Sequence, residues 1–338
     1  MSPLALRRGV VAAVERGGPA ARLRVELADG ELRPAVSYTA LTGEVAEGDE
    51  VIVNCAALDL GLGSGGFDIV HANLTRGLGA AADPDAHVMK LNYTPLQHGV
   101  QPFEERAPGA AGSGPVAVIA LHGQLAPVAW AAATGGERPR RIGYVQTGGG
   151  ALPGALSDVV RELRERGLLA THITAGSSFG GEHEAITVAG AFAAGFAADG
   201  WDAAIAGPGP GILGSVTRLG HGGLAALDTA HSALALGCRT LLVPRMSSGD
   251  PRERHRGLSH HSATVLEMLL APVLVPLPEG TELDPGPHEV AALPTDLDAY
   301  TGSGLPATTM GRSVDEDELF FRAALAGGAA LAREIDGV

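Results

Sequence analysis

The chain has 338 residues, 45% of them hydrophobic and 18% charged, with a net charge of −14 at pH 7. That length exceeds one comfortable core, so two domains are expected, with enough apolar content to bury a sizeable interior. The negative charge opposes sequence-independent attraction to phosphodiester backbones, and the longest apolar stretches, 185–198 and 265–278, are too short to span a bilayer, so neither nucleic acid nor membrane is expected as a partner.

Residues 9–75 read as short strands. Leu23, Val25 and Leu27 alternate with polar neighbours, Asp29-Gly30 is a two-residue hairpin signal, and Glu47-Gly48-Asp49 precedes the apolar run Val51-Ile52-Val53. A small β-barrel or β-sandwich is expected, with 61–66 as a glycine-rich loop or bulge. The segment 87–105, HVMKLNYTPLQHGVQPFEE, begins strand-like and carries the chain across to a second domain, and 107–114, APGAAGSG, reads as a linker. Cys55 and Cys238 lie far apart in apolar settings, which suits buried thiols in a reducing compartment. No signal peptide is visible, because the apolar run 9–14 is short and Glu15 ends it. A cytoplasmic location is expected.

From 116 onward strands alternate with helical patterns, the signature of a parallel sheet with crossover helices. Strand-like runs at 116–120, 142–146, 203–206 and 240–243 open into LHGQ, TGGGALP, GPGPGILGSVTRLGHGG and RMSSGDPRERHRGLSHH. Helices are expected from an N-cap at Ser157 to Arg166, over the almost wholly apolar 184–198, over 222–236 and after Ser259. A last strand is read at 273–277, and the Pro- and Asp-rich 279–300 as a surface excursion. Ser313 and Glu316 form a capping box predicted to start an acidic-headed helix through about Arg333. The expected fold is α/β: a Rossmann-like three-layer α/β/α domain of about six mainly parallel strands over 115–338, preceded by a small N-terminal β-barrel with its connector over 1–106.

The helix-to-strand returns ATGGERPR, RGLL, ADGW and LGCR contain no histidine, whereas most strand exits contain histidine or glycine. Ligands of open α/β sheets bind at the strands' carboxyl ends, so this asymmetry marks a site. Gly209, Gly211 and Gly214 match G-x-G-x-x-G, but Asp228, at the spacing of the ribose-binding acid, falls inside a predicted helix. The loop reads instead as a nest of backbone N–H groups for an anion, or as a tight turn that needs glycine. Ser259 as N-cap places His260 and His261 in the first turn of a helix, where the dipole disfavours imidazolium. Lys90, the single lysine among 24 basic residues, stands where arginine is otherwise used throughout, which points to proton loss, imine formation or a compact charge.

These features point to an enzyme, a transferase or hydrolase, acting on a small phosphorylated or carboxylated metabolite. Gly148, Gly149, Gly209, Gly211, Gly214, Arg252, Arg254 and Arg256 would hold the anion, His260 or His221 would do acid–base work, and Lys90 would stabilise charge or act as nucleophile. His122, His183, His98, His261 and Ser177 are further candidates, although the G-x-S-x-G elbow of serine hydrolases is absent around Ser177. A sensor or binding protein built on the same cleft, its barrel serving a partner or self-association, is the first alternative. A metal-dependent hydrolase using His255, His260 and His261 is the second. Arg245, Arg252, Arg254 and Arg256 would repel a cation in that loop, so no metal ligands and no cofactor are assigned.

At HVMKLNYTPLQ, GPGPGILGSVTRLGH, RERHRGLSHHS and TMGRS the chain resembles an uncharacterised bacterial family, a domain of unknown function with actinobacterial and clostridial members. The resemblance covers most of the chain and implies no activity, substrate or site residue.

Overall fold

A computed structural model of the chain describes residues 4–62, 65–79, 81–109, 112–136, 138–215 and 217–337. The expected loop 61–66 and linker 107–114 therefore lie partly outside the described residues. The chain divides into two compact units, 1–101 and 102–338.

In the first unit, β1 (Leu6–Arg16), β2 (Ala20–Leu27), β3 (Leu32–Tyr38), β4 (Glu50–Asn54) and β5 (Asp68–Asn73) close into a barrel in the order β1-β2-β3-β5-β4. Short helices α1 (Thr39–Thr42) and α2 (Ala56–Asp59) follow β3 and β4. The alternation of Leu23, Val25 and Leu27 turns these side chains inward, where they meet Val11, Val51, Val53 and Cys55. The β2–β3 hairpin turns over residues 28–30 rather than two, with Leu27 N donating to Glu31 O and Gly30 at φ 86°. Gly30 supplies the left-handed residue that a three-residue hairpin needs. β6 (Val88–Lys90) and β7 (His98–Val100) form a separate antiparallel pair in this unit.

Among the described residues the main sheet of the second unit has eight strands, all parallel: β8 (Val116–Ile119), β9 (Ile142–Thr147), β10 (Thr171–Ala175), β11 (His183–Ala185), β12 (Ala203–Pro208), β13 (Thr240–Val243), β16 (Leu274–Pro278) and β17 (Glu289–Leu293). Their order is β11-β10-β9-β12-β8-β13-β16-β17, and the pairs β14 (Met246–Ser247) with β15 (Gly257–Leu258) and β18 (Thr308–Thr309) with β19 (Arg312–Ser313) stand outside the sheet. β8, β9, β10, β12, β13 and β16 are buried along their whole length, which explains the mostly apolar runs of β8, β12, β13 and β16.

The helices fall into two groups. α3 (Leu125–Thr134), α4 (Asp158–Glu165), α8 (Leu297–Gly302) and α9 (Glu318–Asp336) share a core with Ala117, Ile119, Leu241 and Val243. α5 (Val188–Ala197), α6 (Ala225–Ala235) and α7 (His260–Met268) share another with the alternate residues Val116, Val118 and Leu242. The chain leaves β8 through α3 toward β9, and leaves β12 through α6 in the opposite direction toward β13. The crevice between adjacent β12 and β8 is thus a topological switch point, the place where open α/β sheets bind ligands.

Three expectations are corrected here. The apolar run 184–198 is not one helix: His183–Ala185 is the edge strand β11, and α5 begins at Val188 with Thr187 accepting from Gly190 N. The stretch 279–300 contains β17 and most of α8 rather than a surface excursion, so the sheet has eight strands and β16 is not the last. Ser313 and Glu316 do exchange their capping-box bonds, with Ser313 N donating at 2.8 Å and Glu316 N at 3.4 Å, but they brace a turn. The helix α9 starts later, with Asp317 in its N-cap position.

Candidate functional site

Four histidines gather beyond the carboxyl ends of β12 and β13. His221 ends the loop that leaves β12, and its chain pairs back on Gly214 through an isolated bridge. Ser259 caps α7 by accepting from His261 N at 3.3 Å, and this places His260 and His261 in the first turn as their spacing predicts. His255 lies one short turn upstream, its Nδ1 2.8 Å from the same Ser259 hydroxyl. His221 stacks on His261 at 3.8 Å between ring centroids, His260 lies 4.3 Å from His261, and His255 lies 4.8 Å from His260.

One ring nitrogen from each of His221, His260 and His261 falls within 4.8 Å of the other two. Both nitrogens of His221 and Nε2 of His260 are buried without a well-formed hydrogen bond, although the Arg218 backbone lies within hydrogen-bonding reach of His221. Buried polar atoms are normally satisfied, so orphaned imidazole nitrogens that converge from two separate chain segments ask for a partner. Burial, then the neighbouring imidazoles and guanidinium groups, holds all four rings below their ordinary range, His255 at about 3 and His261 at about 2. The lowered pKa favours the neutral imidazole, which is the form that binds a metal.

Of the arginines expected to hold an anion, Arg252 and Arg256 are engaged within the loop and Arg254 is not. Arg245, 2% exposed, donates to fully buried Asp250 at 3.0 Å, and Arg252 binds the same carboxylate at 2.8 and 2.9 Å. Arg312 joins Asp317 at 2.8 Å and reaches Asp250 at 3.6 Å, while Arg256 donates to the Asp250 carbonyl. Asp250 was missed by sequence reasoning, because an aspartate before a proline in a polar loop carries no mark of burial. Arg254 is exposed and makes no hydrogen bond or ion pair among the described residues, yet its charge is felt at His260. Arg245 also donates toward His261 Nδ1 at 3.4 Å.

Several of the loop glycines are required by close backbone packing. A Cβ on Gly222 would lie 1.8 Å from the Gly149 carbonyl oxygen, and one on Gly150 would lie 2.2 Å from that of Gly209. Gly149 and Gly150 therefore lie backbone against backbone with Gly222 and Gly209, and two amides tie the loops together: Leu213 N donates to Gly149 O and Ala151 N to Pro210 O. Gly148 and Gly211 are less constrained, and Gly214 meets only the His221 Cβ. Among the described residues no helix opens at the G-x-G-x-x-G loop, the next turn of helix beginning at Gly222. This removes the dinucleotide arrangement.

His122 also follows a carboxyl end, that of β8, but belongs to another cluster. Its Nε2 lies 2.7 Å from Ser157 Oγ and its Nδ1 3.2 Å from the Pro208 carbonyl, with Tyr144 and His172 stacked behind at 5.4 Å. His183 stands on the edge strand, stacked on Phe103 and bonded to Arg106, and Ser177 is exposed in the turn after β10. Lys90, 3% exposed, and His98 are cross-strand partners in the β6–β7 pair of the first unit. His231 accepts from Leu270 N, a structural contact. Among the described residues no helix is long and apolar enough to cross a membrane.

A family model described as a protein of unknown function, DUF3866, matches residues 34–328. Among curated proteins, none matches the chain.

Proposed function

The chain belongs to the DUF3866 family, whose description names no activity, and from the site itself we propose a metal-dependent hydrolase acting on a small anionic metabolite. The observation that carries this reading is the convergence of His221, His260 and His261, with three of their buried nitrogens unsatisfied. Three neutral imidazoles are the donor set of catalytic zinc-type sites, which keep a further position open for water or substrate. A divalent ion held there would supply Lewis acidity and lower the pKa of a bound water.

The charge objection raised by the arginine-rich loop is weakened by the pairing of Arg245 and Arg252 with Asp250. His255 and Ser259 hold the α7 first turn in place, and Arg254, exposed beside His260, is the group suited to a substrate phosphate or carboxylate. The proposal places this chemistry in the cytoplasm, on a Rossmann-like three-layer frame, without nucleic acid or membrane as partner and with self-association left to the barrel.

The test is metal analysis of chelator-treated protein after reloading with Zn²⁺, coupled to turnover of phosphomonoesters and carboxylate-bearing esters. About one ion per chain is expected, with roughly tenfold or greater loss of affinity in each of His221→Ala, His260→Ala and His261→Ala. Turnover should vanish on chelation and return with metal, while Arg254→Ala should raise KM and leave metal content unchanged. Failure to take up metal, or turnover indifferent to chelation, would overturn the reading. Stabilisation by anions without turnover would instead favour a binding protein.

A further inference from the structure

The crevice between β12 and β8 carries a second constellation that the histidine centre does not use. His122 comes from the exit of β8, Pro208 from the end of β12, and Ser157 from the segment that follows β9 and its glycine loop. The Pro208 carbonyl can only accept, so the proton of a neutral His122 sits on Nδ1, 3.2 Å from that oxygen. Nε2 is then an acceptor, and the Ser157 hydroxyl, 2.7 Å away, must be its donor. The Tyr144 hydroxyl, 3.2 Å from the Gly207 and Pro208 carbonyls and 3.4 Å from His122 Nδ1, shares its one proton between the two carbonyls and braces the orienting group.

We propose that Ser157 and His122 form a nucleophile–base dyad, oriented by a main-chain carbonyl where a triad has a carboxylate, that accepts acyl groups from small esters. The arrangement satisfies the geometric rule for an activated hydroxyl: nucleophile to base within hydrogen-bond reach, and the base held by a third group. Ser157 stands at the N-terminus of the eight-residue α4, whose partial positive charge favours a developing alkoxide. Burial keeps His122 unprotonated at neutral pH.

In the acylation step Ser157 Oγ bonds to the ester carbonyl carbon as its proton passes to His122 Nε2. The carbon–oxygen bond to the leaving alcohol then breaks, and the alcohol departs with that proton. Water reverses the sequence, giving its proton to Nε2 and its oxygen to the acyl group, and Oγ recovers a proton. No metal or redox partner enters the balance.

Ser157 also caps α4 by accepting from Val160 N at 3.1 Å, so the test must separate nucleophile from cap. Native full-length protein, with and without chelator, is treated with a fluorophosphonate probe, and the adduct is located by peptide mass. A single adduct on Ser157 is expected in both samples. It should disappear in Ser157→Ala and in Ser157→Asp, the latter keeping a capping oxygen, and its rate should fall at least about tenfold in His122→Gln. Thermal melting confirms that each variant is folded. No adduct on native protein, an adduct on another serine that survives Ser157→Asp, or a rate unchanged in His122→Gln overturns the dyad. Because the chelated sample is labelled in parallel, this outcome is independent of whether the three histidines bind metal.

Discussion

Asp250 carries more electrostatic load than any other carboxylate near the histidines. It is fully buried and shared by Arg245, Arg252 and Arg312. Removing its charge leaves Arg245 buried and unpaired, so Asp250→Asn is expected to cost about 3–5 kcal/mol, read as a lowered urea midpoint. Arg245→Met together with Asp250→Asn should recover most of that loss, since the burden is the stranded guanidinium. The pH dependence follows the same pair. The Arg252 hydrogen bond, opposed by burial and helped by further charges, holds the Asp250 carboxyl below its ordinary 3.8. A folded-state value lower than the unfolded one means that the contribution is complete above about pH 4 and is lost as the pH falls below it. Urea midpoints between pH 7 and pH 3 should therefore fall less steeply in Asp250→Asn than in the native chain.

The loops that frame the site behave as elements in their own right. Gly149, at φ 102°, and Gly222 touch backbone to backbone, and His221 immediately precedes Gly222. Gly222→Ala must push the two loops apart, at an expected cost of about 1–3 kcal/mol, and should displace His221 from its partners. Lowered melting temperature together with weakened Zn²⁺ uptake is the expected pair of results. A melting change with unaltered uptake would detach the loop contact from the histidine centre. Local signals located the other elements unevenly. The Ser259 and Ser157 caps were legible because capping is decided within three residues. The α9 start was not, because the Ser313–Glu316 bonds satisfy a turn as well as a helix. β17 was hidden because only Leu293 of its five residues is buried, so the strand lacks the alternation that marks a half-buried one.

At the scale of the molecule, the three converging histidines all belong to the unit 102–338. A fragment of those residues is expected to bind Zn²⁺ with the stoichiometry and affinity of the full chain. Weaker binding by a folded fragment would show that the barrel unit contributes to the site. By itself the sequence determined the class of both units, the strand exits at which histidine and glycine collect, and the first turn of α7, because hydrophobic periodicity, turn residues and caps act over a few residues. Only the tertiary structure decided which of those groups meet. It joined His221 to His260 and His261 across some forty residues, paired Arg245 and Arg252 with Asp250, and set Ser157 against His122 at the β12–β8 crevice. Such pairings depend on strand order and loop packing, which no local pattern encodes.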